Sequence, residues 1–327
     1  MAPTIYDVLI LGGGPAGLSV ALGLSRQLRT CVVFDSQIYR NAPTSHMHNF
    51  PTWDHRDPED FRDATRRNIL SRYKTARFET RKVVEVKRAA DAGEGKSEAL
   101  FKASDDKGEE WWGRKVVLAT GVRDVFPAGI QGYGDVWGKA VFHCLFCHGY
   151  EESGAPSAGV FADAESMLAK PQGALHGLRM AAGLAGRVTL YTNGHAATTA
   201  AMEEFFGPRN VVVEARRMVG MAYHPETPDE RLHVTFEDGE VQKMGFMMHA
   251  PKTEVVGPWV DMLGLELTEM GVVKTNAPFY ETTVKGVFAV GDIATPMKSV
   301  GQAVAMAGFA AAGIVGQLGA EFEGLHD

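Results

Sequence analysis

The run Val8-Leu9-Ile10-Leu11-Gly12-Gly13-Gly14-Pro15-Ala16-Gly17 constrains this chain more than any other stretch. An apolar, strand-like segment leads into glycines spaced G-x-G-x-x-G. Ala16 to Leu28 then carries Leu18, Ala21 and Leu22 at helical spacing. The first glycine, Gly12, permits a tight turn, Gly14 lets the backbone approach a pyrophosphate, and Gly17 allows close helix–strand packing. A phosphate there would sit at a helix N-terminus, where free N–H groups and the dipole favour negative charge. The next apolar run, Cys31 to Phe34, ends at Asp35, where a carboxylate can accept hydrogen bonds from ribose hydroxyls. Strand, loop, helix, strand and acid together specify a dinucleotide-binding βαβ unit. The motif alone does not separate FAD from NAD, and a glycine triplet by itself would fit a turn in some other α/β protein.

The pattern recurs further on. Val116 to Ala119 is apolar and precedes Thr120-Gly121. Before it, Val83 to Lys87 and Ala99 to Lys102 alternate like strands, with a turn at Asp105-Asp106-Lys107-Gly108 and an exposed hairpin tip over Ala89 to Ser97. This predicts an antiparallel meander inserted before the parallel sheet resumes. Ala158 to Ala162, Leu175 to Leu184 and Val188 to Tyr191 read as a second strand–helix–strand unit. Gly286 to Asp292 reads as a late strand, followed by a small-residue helix from Gln302 to about Leu318. The fold class is therefore α/β, with two Rossmann-like domains of dinucleotide-binding type. The first is discontinuous, residues 1–123 and 251–327, and residues 124–250 form a central domain.

With 327 residues, 45% hydrophobic and 22% charged, the chain has an ordinary globular composition and enough length for two domains. The net charge of -7, without a basic block, argues against nucleic acid as a partner. No run of 18 apolar residues and no signal-peptide pattern stands in the sequence, so the expectation is a cytoplasmic protein without a membrane partner.

There are three cysteines, too few for a disulfide framework. Cys31, inside a strand-like run, reads as a small buried apolar residue. The other two form Cys144-Leu145-Phe146-Cys147, followed by His148. Cysteines three apart can close a small disulfide ring, and a thiolate stabilised by its neighbours becomes a usable nucleophile. A c-type haem attachment, half a zinc site and a chance pair of core cysteines compete with this reading. His148 is placed to take a proton from a substrate thiol near neutral pH. A lone histidine is often structural, and His143 fits a capping or packing role. Phe142, Leu145 and Phe146 are candidate walls for a partly apolar small molecule.

Gly291-Asp292, followed by a helix rich in Ala and Gly, resembles the second flavin motif of two-dinucleotide-domain flavoproteins. There the acid holds the ribitol chain and the helix N-terminus favours reduced, anionic flavin. Together with Gly12 to Gly17, Ala119-Thr120-Gly121, the Cys144–Cys147 unit and Gln302-Ala303, the chain resembles low-molecular-weight thioredoxin reductases over nearly its whole length. The resemblance implies FAD, a homodimer, Cys147 as the flavin-facing sulfur and Cys144 as the sulfur that exchanges with substrate.

Two departures from that family stand out. His148 replaces the acid after the second cysteine. The central fingerprint reads Gly159-Val160-Phe161-Ala162-Asp163-Ala164-Glu165-Ser166, with one glycine and two acids, and no Lys or Arg lies between Tyr191 and Arg209. The charge-assisted grip on an NADPH 2′-phosphate is missing there. Tyr39-Arg40-Asn41, His46-Met47-His48-Asn49, Gly121 to Asp124 and Cys144 to Glu151 resemble a subgroup, the fungal thioredoxin-reductase-like dithiol oxidases of the gliotoxin-oxidase type. That resemblance implies closure of a disulfide in a small dithiol natural product with O2 as acceptor and H2O2 as product. It implies catalytic Cys144, Cys147 and His148 and no metal. It implies cofactor contacts from Gly12, Gly14, Pro15, Ala16, Gly17, Asp35, Ser36, Arg40, Asn41, His48, Asn49, Val84, Thr120, Gly121, Gly291, Asp292, Gln302, Ala303 and Val304. An NADPH-dependent disulfide reductase and a flavin-bound protein that sequesters a disulfide are the alternatives.

Overall fold

Val8, Leu9, Ile10 and Leu11 are all shielded from water, the pattern of a parallel strand covered on both faces. In the computed structural model, which describes residues 3–89, 100–209 and 211–320, they end strand Ile5–Leu11. The chain divides into two units. One holds the chain through His46, Phe50–Arg123 and the chain from Glu254, and the other holds Met47–Asn49 and Asp124–Thr253.

Among the described residues the first unit is built on a nine-stranded sheet. Its main path runs Thr275–Asn276, Glu281–Thr282, Val287–Ala289, Glu110–Leu118, Ile5–Leu11, Cys31–Phe34 and Ala76–Glu79. The predicted meander is present: Val83–Arg88 pairs antiparallel with Phe101–Asp105, which pairs antiparallel with Glu110–Leu118. That last strand starts six residues before the apolar run at Val116, because Glu110 to Gly113 complete the meander while Val116 to Leu118 pair with the parallel sheet. The turn at Asp105 forms around its own side chain, whose Oδ1 accepts from the Lys107 and Glu109 N–H groups at 2.9 Å each. The predicted hairpin tip lies, beyond Ala89, outside the described residues, as does Ala99 of the expected strand.

Helix Pro15–Ser25 and helix Val300–Ala320 pack together on one face of this sheet. Both are rich in small residues at the contact, and a Cβ on Gly23 would stand 2.7 Å from that of Ala311, so close approach depends on the missing side chain. Helix Val300–Ala320 is long and apolar enough to cross a membrane by composition alone. Here Met306, Ala310, Ile314 and Leu318 are buried in the first unit's core with Val20, Ala21 and Leu24. Helix Pro15–Ser25 ends earlier than its apolar pattern suggests, and Leu28 is exposed in a left-handed turn. Cys31 is fully buried as expected, and burial pushes its thiol up to about 12.

The second unit carries a five-stranded parallel sheet in the order Val212–Glu214, Val188–Tyr191, Ala158–Phe161, Phe246–Met248, Val141–Phe142, counted among the described residues. Helices Pro171–Ala182 and Ala196–Phe206 flank it. A three-stranded antiparallel sheet, Met218–Tyr223, Leu232–Phe236 and Val241–Met244, adds a layer the sequence reading did not anticipate.

Candidate active site

The register of the first sheet gathers the motif loops at one edge. Leu11 pairs with both Phe34 and Leu118, and Leu118 pairs with Ala289, so four neighbouring parallel strands end at one level. Just beyond them lie Gly12, Asp35, Ala119-Thr120-Gly121 and Gly291-Asp292. Ligands of open α/β sheets bind outside this carboxyl edge.

Gly12 has φ +117°, and a Cβ there would overlap the Ala119 carbonyl. A Cβ on Gly17 would overlap the Gly12 carbonyl, which is why helix Pro15–Ser25 can begin directly against the turn. At Gly14 the reverse holds: a Cβ would meet nothing within 4 Å. This is the N-cap of helix Pro15–Ser25, and no side chain caps it. An open face with uncapped N–H groups is what a pyrophosphate requires. Gly291, at φ +77°, lies against Ala16 and Ala303, with Cβ separations of 3.0 and 3.7 Å were it alanine. The C-terminal acid motif is thereby joined to the first helix and to the start of helix Val300–Ala320, where Gln302 and Val304 are half-buried.

Asp35 is buried, and its carboxylate already has protein partners. Oδ1 accepts from the Gln37 N–H at 2.9 Å, and Oδ2 accepts from Tyr39 Oη at 2.6 Å and Arg66 at 2.7 Å. Oδ1 keeps acceptor capacity for one more donor, such as a ribose hydroxyl. Burial, followed by the bond to Asp35, pushes the Tyr39 phenol up to about 12. The Asp35 side chain also occupies the space a Cβ on Gly13 would need. Arg40 Nη1 lies 3.1 Å from Asp292 Oδ2, and Asn41 Oδ1 accepts from Arg62 at 3.4 Å. Thr120 Oγ1 donates to the Val256 carbonyl at 2.8 Å. Ser36 is exposed, and Val84, on the meander, is 40% exposed. His48 and Asn49, in contrast, group with the second unit.

In the second unit Phe142 pairs with Met248 at the carboxyl edge of the five-stranded sheet, and the cysteine segment follows directly. Cys144 caps the short helix Leu145–His148, and its carbonyl accepts from the Cys147 and His148 N–H groups at 3.2 and 3.1 Å. That turn brings the sulfurs together in a Cys144–Cys147 disulfide, with Cα atoms 5.3 Å apart. His148 stacks on Phe142, with ring centroids 5.2 Å apart, and meets the ring of His48 edge-on at 6.0 Å. His48 Nε2 lies 3.4 Å from Glu151 Oε1. Burial lowers the His148 pKa from the ordinary histidine value, the neighbouring His48 lowers it further, and Glu151 raises it. His143 stacks on Trp137. Asn49 Nδ2 donates to the Phe146 carbonyl at 2.6 Å, so His48 and Asn49 both support the cysteine turn. Of the three expected walls, Phe142 and Leu145 are core, whereas Phe146 is 77% exposed.

The second strand–helix turn of this unit is closed by its own side chains. Asp163 Oδ1 accepts from the Ala164 N–H at 2.8 Å and lies 3.2 Å from His195 Nε2. Ser166 Oγ donates to the Ala250 carbonyl at 2.9 Å, and Leu168 is buried in the core. The helix starts only at Pro171. Local sequence does not mark Tyr39, Arg66 or Glu151 as site residues; their place at the site comes from the contacts with Asp35 and His48.

Residues 6–165 match the pyridine nucleotide-disulphide oxidoreductase family. Thioredoxin reductase sirT of Leptosphaeria maculans is 41% identical over 323 residues, covering 95% of this chain and 94% of that protein. The chain belongs to the thioredoxin reductase family. Another fungal member, thioredoxin reductase aclD of Aspergillus oryzae, is 42% identical over 323 residues, covering 97% and 98% of the two chains. The crystal structure of an oxidoreductase from Agrobacterium tumefaciens superposes with a TM-score of 0.81 at 32% identity, covering 96% of this chain and 99% of that one. As a member of the thioredoxin reductase family the chain is an oxidoreductase and a flavoprotein with FAD as its cofactor. The open Gly14 face, the uncapped helix and the spare acceptor on Asp35 fit that cofactor.

Proposed function

We propose that this protein is an FAD-dependent dithiol oxidase that closes a disulfide in a small-molecule dithiol natural product of epidithiodiketopiperazine-like type, with O2 as electron acceptor and H2O2 as product. In this reading residues 1–123 and 251–327 hold FAD, and residues 124–250 carry the redox pair. The observation that supports it best is the contrast between the two strand–helix turns. The one at Gly14 is open, and the one at Asp163 is filled by Asp163, Ser166 and Leu168. The first suits a dinucleotide and the second does not, so electrons enter through the cysteines.

The chemistry on this chain's residues balances as follows. A substrate thiolate attacks Cys144 Sγ, breaking the Cys144–Cys147 bond and forming a mixed disulfide, with Cys147 leaving as thiolate. His148 takes the proton of the second substrate thiol, which attacks the substrate sulfur of the mixed disulfide, breaking its bond to Cys144 Sγ and releasing Cys144 as a thiolate that can take that proton from His148. The product disulfide leaves with two electrons fewer, and the enzyme is left as a dithiol. FAD, when bound, would supply the two-electron acceptor between the enzyme dithiol and O2. His148 is suited to the base role because burial lowers its pKa and so favours the neutral imidazole. A homodimer in the cytoplasm, without nucleic acid or membrane partners, goes with the same family reading.

The names of the relatives favour a second reading, a reductase fed by NADPH. One anaerobic titration separates the two. A small dithiol such as dithiothreitol should bleach the flavin while NADPH leaves it oxidised, and admitting air should then consume O2 and release H2O2. Rapid bleaching by NADPH would overturn the oxidase reading.

A further inference from the structure

Resting on the oxidase reading, we infer that Phe146 and Tyr150 form an aromatic platform beside the redox pair that selects an uncharged, ring-bearing dithiol over an anionic thiol such as glutathione. The backbone stays right-handed helical from Leu145 through the 3-10 turn at Tyr150–Glu152, since Gly149 between them has φ -88° and ψ -31°. Residues three and four apart therefore share a side. Leu145, Gly149 and Glu152 form the buried side. Phe146, Cys147 and Tyr150 form the other, on which Phe146 is 77% and Tyr150 88% exposed. The polarity is inverted relative to an ordinary surface helix, with a carboxylate inside and two aromatic rings in water.

The inversion is fixed by packing. Buried Glu152 is held by an ion pair with Arg231, whose Nε also donates to the Gly245 carbonyl at 3.1 Å. Asn49 holds the Phe146 carbonyl, which orients that residue's backbone. The rings are thus presented from an anchored turn, and one of them lies between the two cysteines in sequence.

Charge points the same way. No lysine or arginine occurs between Lys139 and Lys170, and Arg231, which meets this turn, is taken up by Glu152. Glu151 adds an exposed carboxylate on the same turn. Glutathione brings two carboxylates to a segment that carries no lysine or arginine of its own, whereas a neutral ring finds two faces to stack on.

The test is a single-turnover measurement on the FAD-loaded enzyme under anaerobic conditions, reading how fast a thiol opens the Cys144–Cys147 disulfide. Three probes are compared: a neutral benzyl-substituted 1,3-dithiol, dithiothreitol and glutathione. The wild type should react fastest with the benzyl dithiol and slowest with glutathione at equal thiolate concentration. Phe146→Ser and Tyr150→Ser should each cut the benzyl-dithiol to dithiothreitol rate ratio about three- to tenfold, acting on the half-saturating concentration. Phe146→Tyr and Tyr150→Phe, which keep the ring faces, should retain most of it. An unchanged ratio in both serine variants, or a wild type that does not prefer the benzyl dithiol, would overturn the platform. Because this step precedes any acceptor, O2 uptake measured in parallel reports separately on the oxidase reading.

Discussion

The imidazole of His148 lies against the ring of Phe142, with 5.2 Å between centroids and 24° between planes. The contact takes water away from one face of the base, and burial is the largest cause of its lowered pKa. A base works only when neutral, so a lowered pKa extends its working range toward acid. The acid limb of kcat/KM for dithiol-driven O2 uptake should inflect below the ordinary histidine value of about 6.5. Phe142→Ala should move that inflection up, because it readmits water. Glu151→Gln should move it down, because the carboxylate favours the imidazolium. His148→Gln should erase the limb and slow turnover about 10²- to 10⁴-fold. A pH–rate profile of the four proteins checks all three shifts.

The two cysteines have different fates in the proposed reaction, so their variants should differ in kind. In Cys147→Ser the partner Cys144, half-buried, can still be captured as a mixed disulfide when an oxidised probe is supplied, and intact-mass measurement should show one stable adduct per chain. In Cys144→Ser the adduct should be at least tenfold less abundant at the same exposure time, because Cys147 is the sulfur read as facing the flavin. Equal adduct yields would reverse the assignment of the attacked sulfur.

Where structure follows local pattern, the sequence was legible. Cys31–Phe34 and Val188–Tyr191 form strands with the expected ends, because apolar β-branched runs bounded by turn residues leave little choice. Glycine spacing located the first site's turn. Contacts between distant segments were not legible. Arg40 meets Asp292 across 252 residues, and His48 reaches Glu151 and His148 from a loop that local pattern ties to nothing. Two omissions had signals. Leu232-His233-Val234-Thr235-Phe236 alternates in and out before Glu237-Asp238-Gly239, a hairpin signature. Asp57-Pro58 opens helix Pro58–Arg72, with the Asp57 side chain accepting from the Glu59 N–H at 2.7 Å. That helix supplies Arg66 to Asp35.

Glu152 and Arg231 anchor the cysteine turn to the antiparallel layer of the second unit. Removing one partner of a buried ion pair strands the other charge. Arg231→Met should therefore cost roughly 3 kcal/mol in urea unfolding, and Glu152→Gln somewhat less because it keeps an acceptor. The same variants should speed alkylation of the reduced cysteines, since the turn that carries them is loosened. Unfolding midpoints and alkylation rates measured together would show whether the pair supports the turn or only the fold.

Gly14 and Gly17 stand three residues apart in one motif and answer to different constraints. A methyl group on Gly17 collides with the Gly12 carbonyl, backbone against backbone, where nothing can yield cheaply. Gly17→Ala should destabilise the first unit by about 1–3 kcal/mol and lose FAD as a consequence. A methyl group on Gly14 meets nothing within 4 Å, and Gly14 has φ -78°, which any residue adopts. Gly14→Ala should therefore fold with a cost of about 1 kcal/mol or less, that of alanine at a helix N-cap. In the proposed FAD site its open space takes the pyrophosphate, so the variant should purify with under a tenth of the wild-type FAD content. Flavin absorbance per chain and thermal unfolding of the apo proteins separate the two effects. A Gly14→Ala protein that keeps its full flavin would place the phosphates elsewhere than at this helix.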